Sequence, residues 1–142
     1  MRYLSPRKGF LGIDAKQNLD PKVIVVPFGL EKTVSYGSGT KNAPKEIIQA
    51  SHQVELFDEE LNKEPHKEIG IKTLKPFLIK TKIKDALDQL SKINSEIISQ
   101  GKFPLVFGGE HSITSGSIKP FAKIYDEITL LHFDAHADLR AS

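Results

Sequence analysis

The chain has 142 residues, 39% hydrophobic and 27% charged, which suits one soluble globular domain. Its net charge of +2, spread over scattered lysines, is too mild to argue for a nucleic-acid partner. No apolar run approaches the ~18–20 residues of a membrane span, residues 1–8 lack the apolar core of a secretory signal, and the absence of cysteine excludes a disulfide scaffold and thiolate metal sites. The cytoplasm is the expected compartment.

In chain order, Val23-Ile24-Val25-Val26 reads as a first strand ended by Pro27. Residues 33–42 are a loop rich in Gly, Ser and Thr, and residues 44–50 start a short helix with Pro44 in its first turn. Val54-Glu55-Leu56-Phe57 reads as a second strand at a sheet edge. The clearest helix is 80–100, where Ile83, Leu87, Leu90, Ile93 and Ile97 repeat at helical spacing and Gly101 caps the end. Leu105-Val106-Phe107 is a third strand, residues 112–125 are helical but split by Pro120, and residues 128–133 are a fourth strand. Strands alternating with helices predict an α/β fold with a mostly parallel sheet. Ligands in such sheets gather beyond the carboxyl ends of the strands.

Two of those ends carry hard ligands. Gly108-Gly109-Glu110-His111-Ser112 follows the third strand, and Asp134-Ala135-His136-Ala137-Asp138 follows the fourth. In extended backbone alternate side chains point the same way, so Asp134, His136 and Asp138 are expected to converge. Carboxylates with imidazole favour Mn2+, Mg2+ or Fe2+, and a carboxylate can bridge two ions roughly 3.5–4 Å apart. A shared centre requires His111 within about 10 Å of the Asp134 carboxylate, the reach of a two-metal site. Gly108 and Gly109 also serve a tight strand-to-helix turn. Ser112 is expected as a helix N-cap rather than a nucleophile, His132 as a structural histidine, and His52 and His66 as exposed. The Gly37-Ser38-Gly39-Thr40 loop lacks a phosphate-binding fingerprint and reads as a substrate-side or structural loop. Asp58-Glu59-Glu60 is a solvated turn.

Together the two motifs resemble those of the ureohydrolases, the arginase and agmatinase family, which carry Gly-Gly-Asp/Glu-His-Ser and Asp-Ala-His-x-Asp. Val25-Val26-Pro27-Phe28, Thr33-Val34-Ser35-Tyr36, Gly39-Thr40, Pro44-Lys45-Glu46-Ile47 and residues 54–61 look like the agmatinase pattern, and the likeness covers residues 20–142. It departs at Asn42-Ala43-Pro44, where the family usually has glycine before the proline, and at Ile48, where arginine is common. The resemblance implies a truncated three-layer α/β/α fold, with residues 1–142 the N-terminal half of one arginase-like domain. Two strands from the missing half would lie between the third and fourth strands. It implies two Mn2+ ions: His111 and Asp138 on the first, His136 on the second, Asp134 bridging both. Asp138 would also act catalytically, hydrogen-bonding the bridging hydroxide. Two further aspartates, a histidine proton shuttle and a substrate-binding glutamate would lie beyond Ser142. The implied reaction is hydrolysis of a small guanidino substrate, agmatine in preference to arginine, giving putrescine and urea in polyamine biosynthesis. The implied assembly is a homo-oligomer, and the chain alone is expected to be inactive and poorly folded. The rival readings are a split or decayed non-catalytic remnant and a metal-dependent deacetylase-like hydrolase, the latter weakened by the lack of a His-His pair in the sequence.

Overall fold

An apolar run with no polar alternation has two faces to bury, and residues 23–28 bury both by becoming the middle strand of a sheet. The computed structural model describes residues 1–13 and 20–136. Its elements are β1 (Val23–Phe28), α1 (Ala43–Ala50), α2 (His66–Ile69), β2 (Ile71–Thr73), α3 (Ile83–Ser99), β3 (Phe103–Gly108) and α4 (Ile113–Ile118). The sheet order is β2-β1-β3. Both pairings are parallel, from Val23↔Ile71 to Val25↔Thr73 and from Val23↔Phe103 to Phe28↔Gly108. The fold class is α/β with a parallel sheet, as the alternation of elements predicts.

β1 runs one residue past Pro27, where the sequence reading ends it. The reason lies in the ladder. The Leu74 N–H donates to the Val25 C=O (2.9 Å), so Val25 faces β2. Pro27, two residues on, turns its missing N–H to the same side, beyond the last β2 pair at Val25↔Thr73. Pro104 is placed by the same logic. The Phe103 N–H donates to the Lys22 C=O (2.8 Å), so Pro104 turns its missing N–H away from β1.

α3 keeps the expected apolar face. Ala86, Leu90 and Ile97 are buried with Ile24, Val26, Phe28 and Leu30, and Ile83, Leu87 and Ile93 pack at the margin of that cluster. The helix ends as Gly101 predicts. With φ at 70°, Gly101 lets its own N–H reach the Ile98 C=O (2.9 Å) and the Lys102 N–H reach the Ile97 C=O (3.2 Å). These are the paired bonds of a Schellman cap. Pro120 separates α4 from a 3-10 turn at Phe121–Lys123, so the helical stretch is split as expected.

Two expected strands do not form. Residues 54–57 are irregular, with Val54 and Phe57 more than half exposed, and lead into a tight turn in which the Asp58 carboxylate accepts the Leu61 N–H (2.9 Å). The edge position belongs to β2, whose three residues include the exposed Lys72 and so give no apolar alternation to read. An antiparallel bridge, Tyr3↔Leu74, then extends from the end of β2. Residues 128–133 also carry no strand. Ile128, Leu130, Leu131 and Phe133 are exposed, since no neighbouring strand among the described residues offers backbone partners. His66, expected to be exposed, is buried.

Candidate metal centre

The first arm of the site is the turn from β3 into α4. Gly109 sits at φ 44°, and a Cβ there would lie 2.5 Å from the Leu30 carbonyl oxygen and 2.6 Å from its nitrogen. Only glycine lets the β3 end come this close to the end of β1. The Glu110 N–H then donates to the Leu30 C=O (2.9 Å), which locks the two strand ends together.

Glu110 is buried, and its carboxylate is fully engaged. One oxygen accepts the Lys32 and Thr33 backbone N–H groups, the latter at 2.7 Å. The other accepts the Thr33 hydroxyl (2.6 Å) and the Ser112 hydroxyl (2.6 Å). Burial on its own would push the Glu110 carboxyl up. The Ser112 and Thr33 hydroxyls and the two backbone N–H groups together outweigh it and hold the carboxyl at about 2. Ser112 stands at the N-cap position of α4 but makes no side-chain cap bond. Its hydroxyl goes to Glu110 instead, because a buried carboxylate is the stronger acceptor.

The second arm, residues 132–136, lies across from His111. His111 Nδ1 is 3.8 Å from Asp134 Oδ2, well inside the ~10 Å that a shared centre allows. His136 Nδ1 is 3.3 Å from Asp134 Oδ1. The backbone here is bent rather than extended: the His136 N–H donates to Asp134 Oδ1 (2.8 Å), so His136 meets Asp134 through a local turn instead of strand alternation. That backbone N–H, ahead of the His132 and His136 rings and against some desolvation, holds the Asp134 carboxyl below its ordinary range. Asp138, the remaining expected ligand, lies outside the described residues.

His132 is the residue that sequence reasoning misplaced. Its Nε2 is 3.3 Å from Asp134 Oδ2, and its ring lies 5.0 Å from that of His111. It faces the site instead of a core because residues 128–133 join no sheet. The ligand atoms of His111, His132 and Asp134 all lie within 4.8 Å of one another. An ion about 2.0–2.2 Å from each ligand requires pairwise spacings up to roughly 4.4 Å, so this donor set fits a divalent transition ion after small side-chain rotations. Neutral imidazoles with one carboxylate are suitable ligands for such an ion.

The family model described as the Arginase family matches residues 21–142. This chain belongs to the arginase family. It is 34% identical over 146 residues to the N(1)-aminopropylagmatine ureohydrolase of Synechocystis sp., covering 98% of this chain and 48% of that protein. It is 32% identical over 127 residues to the agmatinase of Bacillus anthracis, covering 87% of this chain and 42% of that one. Among solved structures it resembles a candidate agmatinase from Clostridium difficile, with TM-score 0.76, 26% identity and coverage of 84% of this chain and 44% of that chain. The arginase-family chain therefore spans less than half the length of the relatives it matches. The fourfold engagement of Glu110 went unread in the sequence. The only signal was a carboxylate wedged between Gly-Gly and His-Ser, and its partners Lys32 and Thr33 lie some 77 residues away.

Proposed function

We propose that residues 1–142 form the N-terminal half of a single arginase-like domain, and that the whole protein is a manganese-dependent ureohydrolase of the agmatinase type. It would hydrolyse the guanidino group of agmatine to putrescine and urea, a step of polyamine biosynthesis, as a cytoplasmic homo-oligomer. The observation that carries this reading is the convergence of the two arms, His111 lying 3.8 Å from Asp134. The membership of the family supports it, as do the names of the similar proteins, an agmatinase and an aminopropylagmatine ureohydrolase. No helix of the described residues is long and apolar enough to cross a membrane.

In this reading His111, Asp134, His136 and Asp138 would hold the manganese. When bound, a metal pair lowers the pKa of water and so supplies a nucleophile near neutral pH, which a resonance-stabilised guanidinium carbon requires. The chain's own residues provide placement. Asp134 gathers the His111, His132 and His136 rings around its two carboxylate oxygens, and Asp138 would accept a hydrogen bond from the attacking water. Fixed placement of the reactants removes an entropic cost from the attack.

The test is a Co2+ absorption titration of the 142-residue chain with urea assays alongside. Wild type should take up Co2+, and Asp134→Ala should weaken uptake by about 100-fold, since it removes the carboxylate that faces all three histidine rings. With Mn2+ the chain alone should release no urea, because a metal pair needs more carboxylate than these ligands supply. A full-length relative should favour agmatine over arginine. Equal Co2+ affinity in Asp134→Ala would sink the metal centre, and a clear preference for arginine would overturn the agmatinase assignment.

A further inference from the structure

Glu110 stands next to His111 and is not itself available as a ligand. A carboxylate has about four lone-pair sites, and in Glu110 each oxygen already accepts two hydrogen bonds, from Lys32 and Thr33 N–H on one side and from the Thr33 and Ser112 hydroxyls on the other. Asp134 differs: it is exposed in part and shared with histidine rings. The donors on Glu110 come from the foot of the 31–42 loop and from the residue just after His111. The rest of that loop is closed onto the same place. The Glu31 carboxylate accepts the Gly39 N–H (2.6 Å) and the Lys41 N–H (3.1 Å), and the Thr40 hydroxyl donates to the Gly109 C=O (3.3 Å). The loop thus lands twice on Gly109-Glu110, while its tip at Tyr36 is 99% exposed.

We propose that Glu110 is a positioning residue of the metal centre: by clasping Thr33 and Ser112 it fixes the backbone from which His111 projects, and it makes the 31–42 loop a fixed wall beside that histidine. The proposal rests on reading His111 as a metal ligand. His111 is held on both flanks, by Glu110 N–H on the Leu30 C=O (2.9 Å) before it and by the Ser112–Glu110 bond after it. Its ring is half exposed and lies 3.8 Å from the Asp134 carboxylate and 5.0 Å from the His132 ring. The loop that the sequence reading left between a substrate-side and a structural role has its structural anchor on the residues just before His111.

A plain structural staple and a loss of negative charge near the metal are the competing explanations, and Thr33→Val separates them from the clasp. It removes one donor to Glu110 and leaves the charge in place. The experiment compares wild type, E110Q, E110D and T33V in the 142-residue chain. It uses Co2+ titrations followed by absorption, the His111 ring resonances in metal-free protein by NMR, and thermal melts. Losing a residue that orients a ligand typically weakens metal binding about 10–100-fold. E110Q should fall in that range, T33V should lose about threefold, and E110D should recover part of the E110Q loss. Both E110Q and T33V should shift the Co2+ band and the metal-free His111 resonances. If T33V leaves Co2+ affinity and His111 resonances at wild-type values, the clasp does not position His111 and the proposal is overturned. Should E110Q lose its cooperative melt, T33V decides alone. A wild-type chain that takes up no Co2+ removes the ligand reading, while the metal-free His111 resonances still report whether the clasp fixes the ring, so the two failures separate.

Discussion

The arm carrying His111 leaves a paired strand and enters a helix, whereas the arm carrying Asp134 and His136 leaves no strand at all. The first is tied by the β1–β3 ladder, by a glycine that fits against Leu30, and by the four bonds on Glu110. Among the described residues the second is gathered at the Asp134 carboxylate, which accepts the His136 backbone N–H and faces the His111, His132 and His136 rings, with Phe133 94% exposed beside it. A ligand at the end of a ladder is placed before any metal arrives. A ligand on an unpaired segment is placed by the site itself. The weakness expected of this chain therefore concentrates in residues 126–136 and not in the core around β1 and α3.

Three measurements can break or sharpen that contrast. Gly109→Ala should have the largest effect, because its Cβ would meet backbone atoms that cannot move aside and its φ is left-handed. Strain and overpacking each cost about 1–3 kcal/mol, so a loss of about 3–4 kcal/mol in denaturant melts is expected. A loss under about 1 kcal/mol would mean that the strand ends do not meet as closely as described.

Acid should act next, and on the same arm. Glu110 titrates near 2 when folded, below an ordinary carboxyl near 4.5. A depressed carboxyl stabilises the fold fully above its unfolded pKa. That contribution is lost as pH falls from about 4.5 through about 2. The full shift corresponds to roughly 3 kcal/mol. Glu110 is buried, so solvent screens little of this, and about 2–3 kcal/mol is the expected change. Melts of wild type and E110Q from pH 6 to pH 2 check this: the wild-type curve should fall toward that of E110Q, and parallel curves would show that the clasp contributes no charge-dependent stability.

The smallest effect belongs to the other arm. Phe133→Ser should change the stability of the 142-residue chain by less than about 0.5 kcal/mol, as exposed substitutions do. Loss of more than 1 kcal/mol would show that this segment packs in solution and that the contrast between the arms is overstated.

Much of this was legible in the amino acids alone. The unbroken apolar run at residues 23–26 marked a strand, the spacing from Ile83 to Ile97 marked α3, and Gly101 marked its end, because periodicity and left-handed φ are local properties. The two hard-ligand motifs were equally plain, and so was the family they resemble. What local pattern could not supply was pairing. Strand-like apolar segments also occur at 54–57 and 128–133, yet a strand exists only where a neighbour accepts its backbone bonds, and that was given to 71–73 instead. The position of His132 followed from the same failure, since a segment without a ladder turns its side chains to whatever they can bind. Glu110 is the clearest case: sequence placed it beside His111, but only the folded chain could bring Lys32 and Thr33 to its carboxylate, because bonds across that separation exist only once β1 and β3 lie side by side.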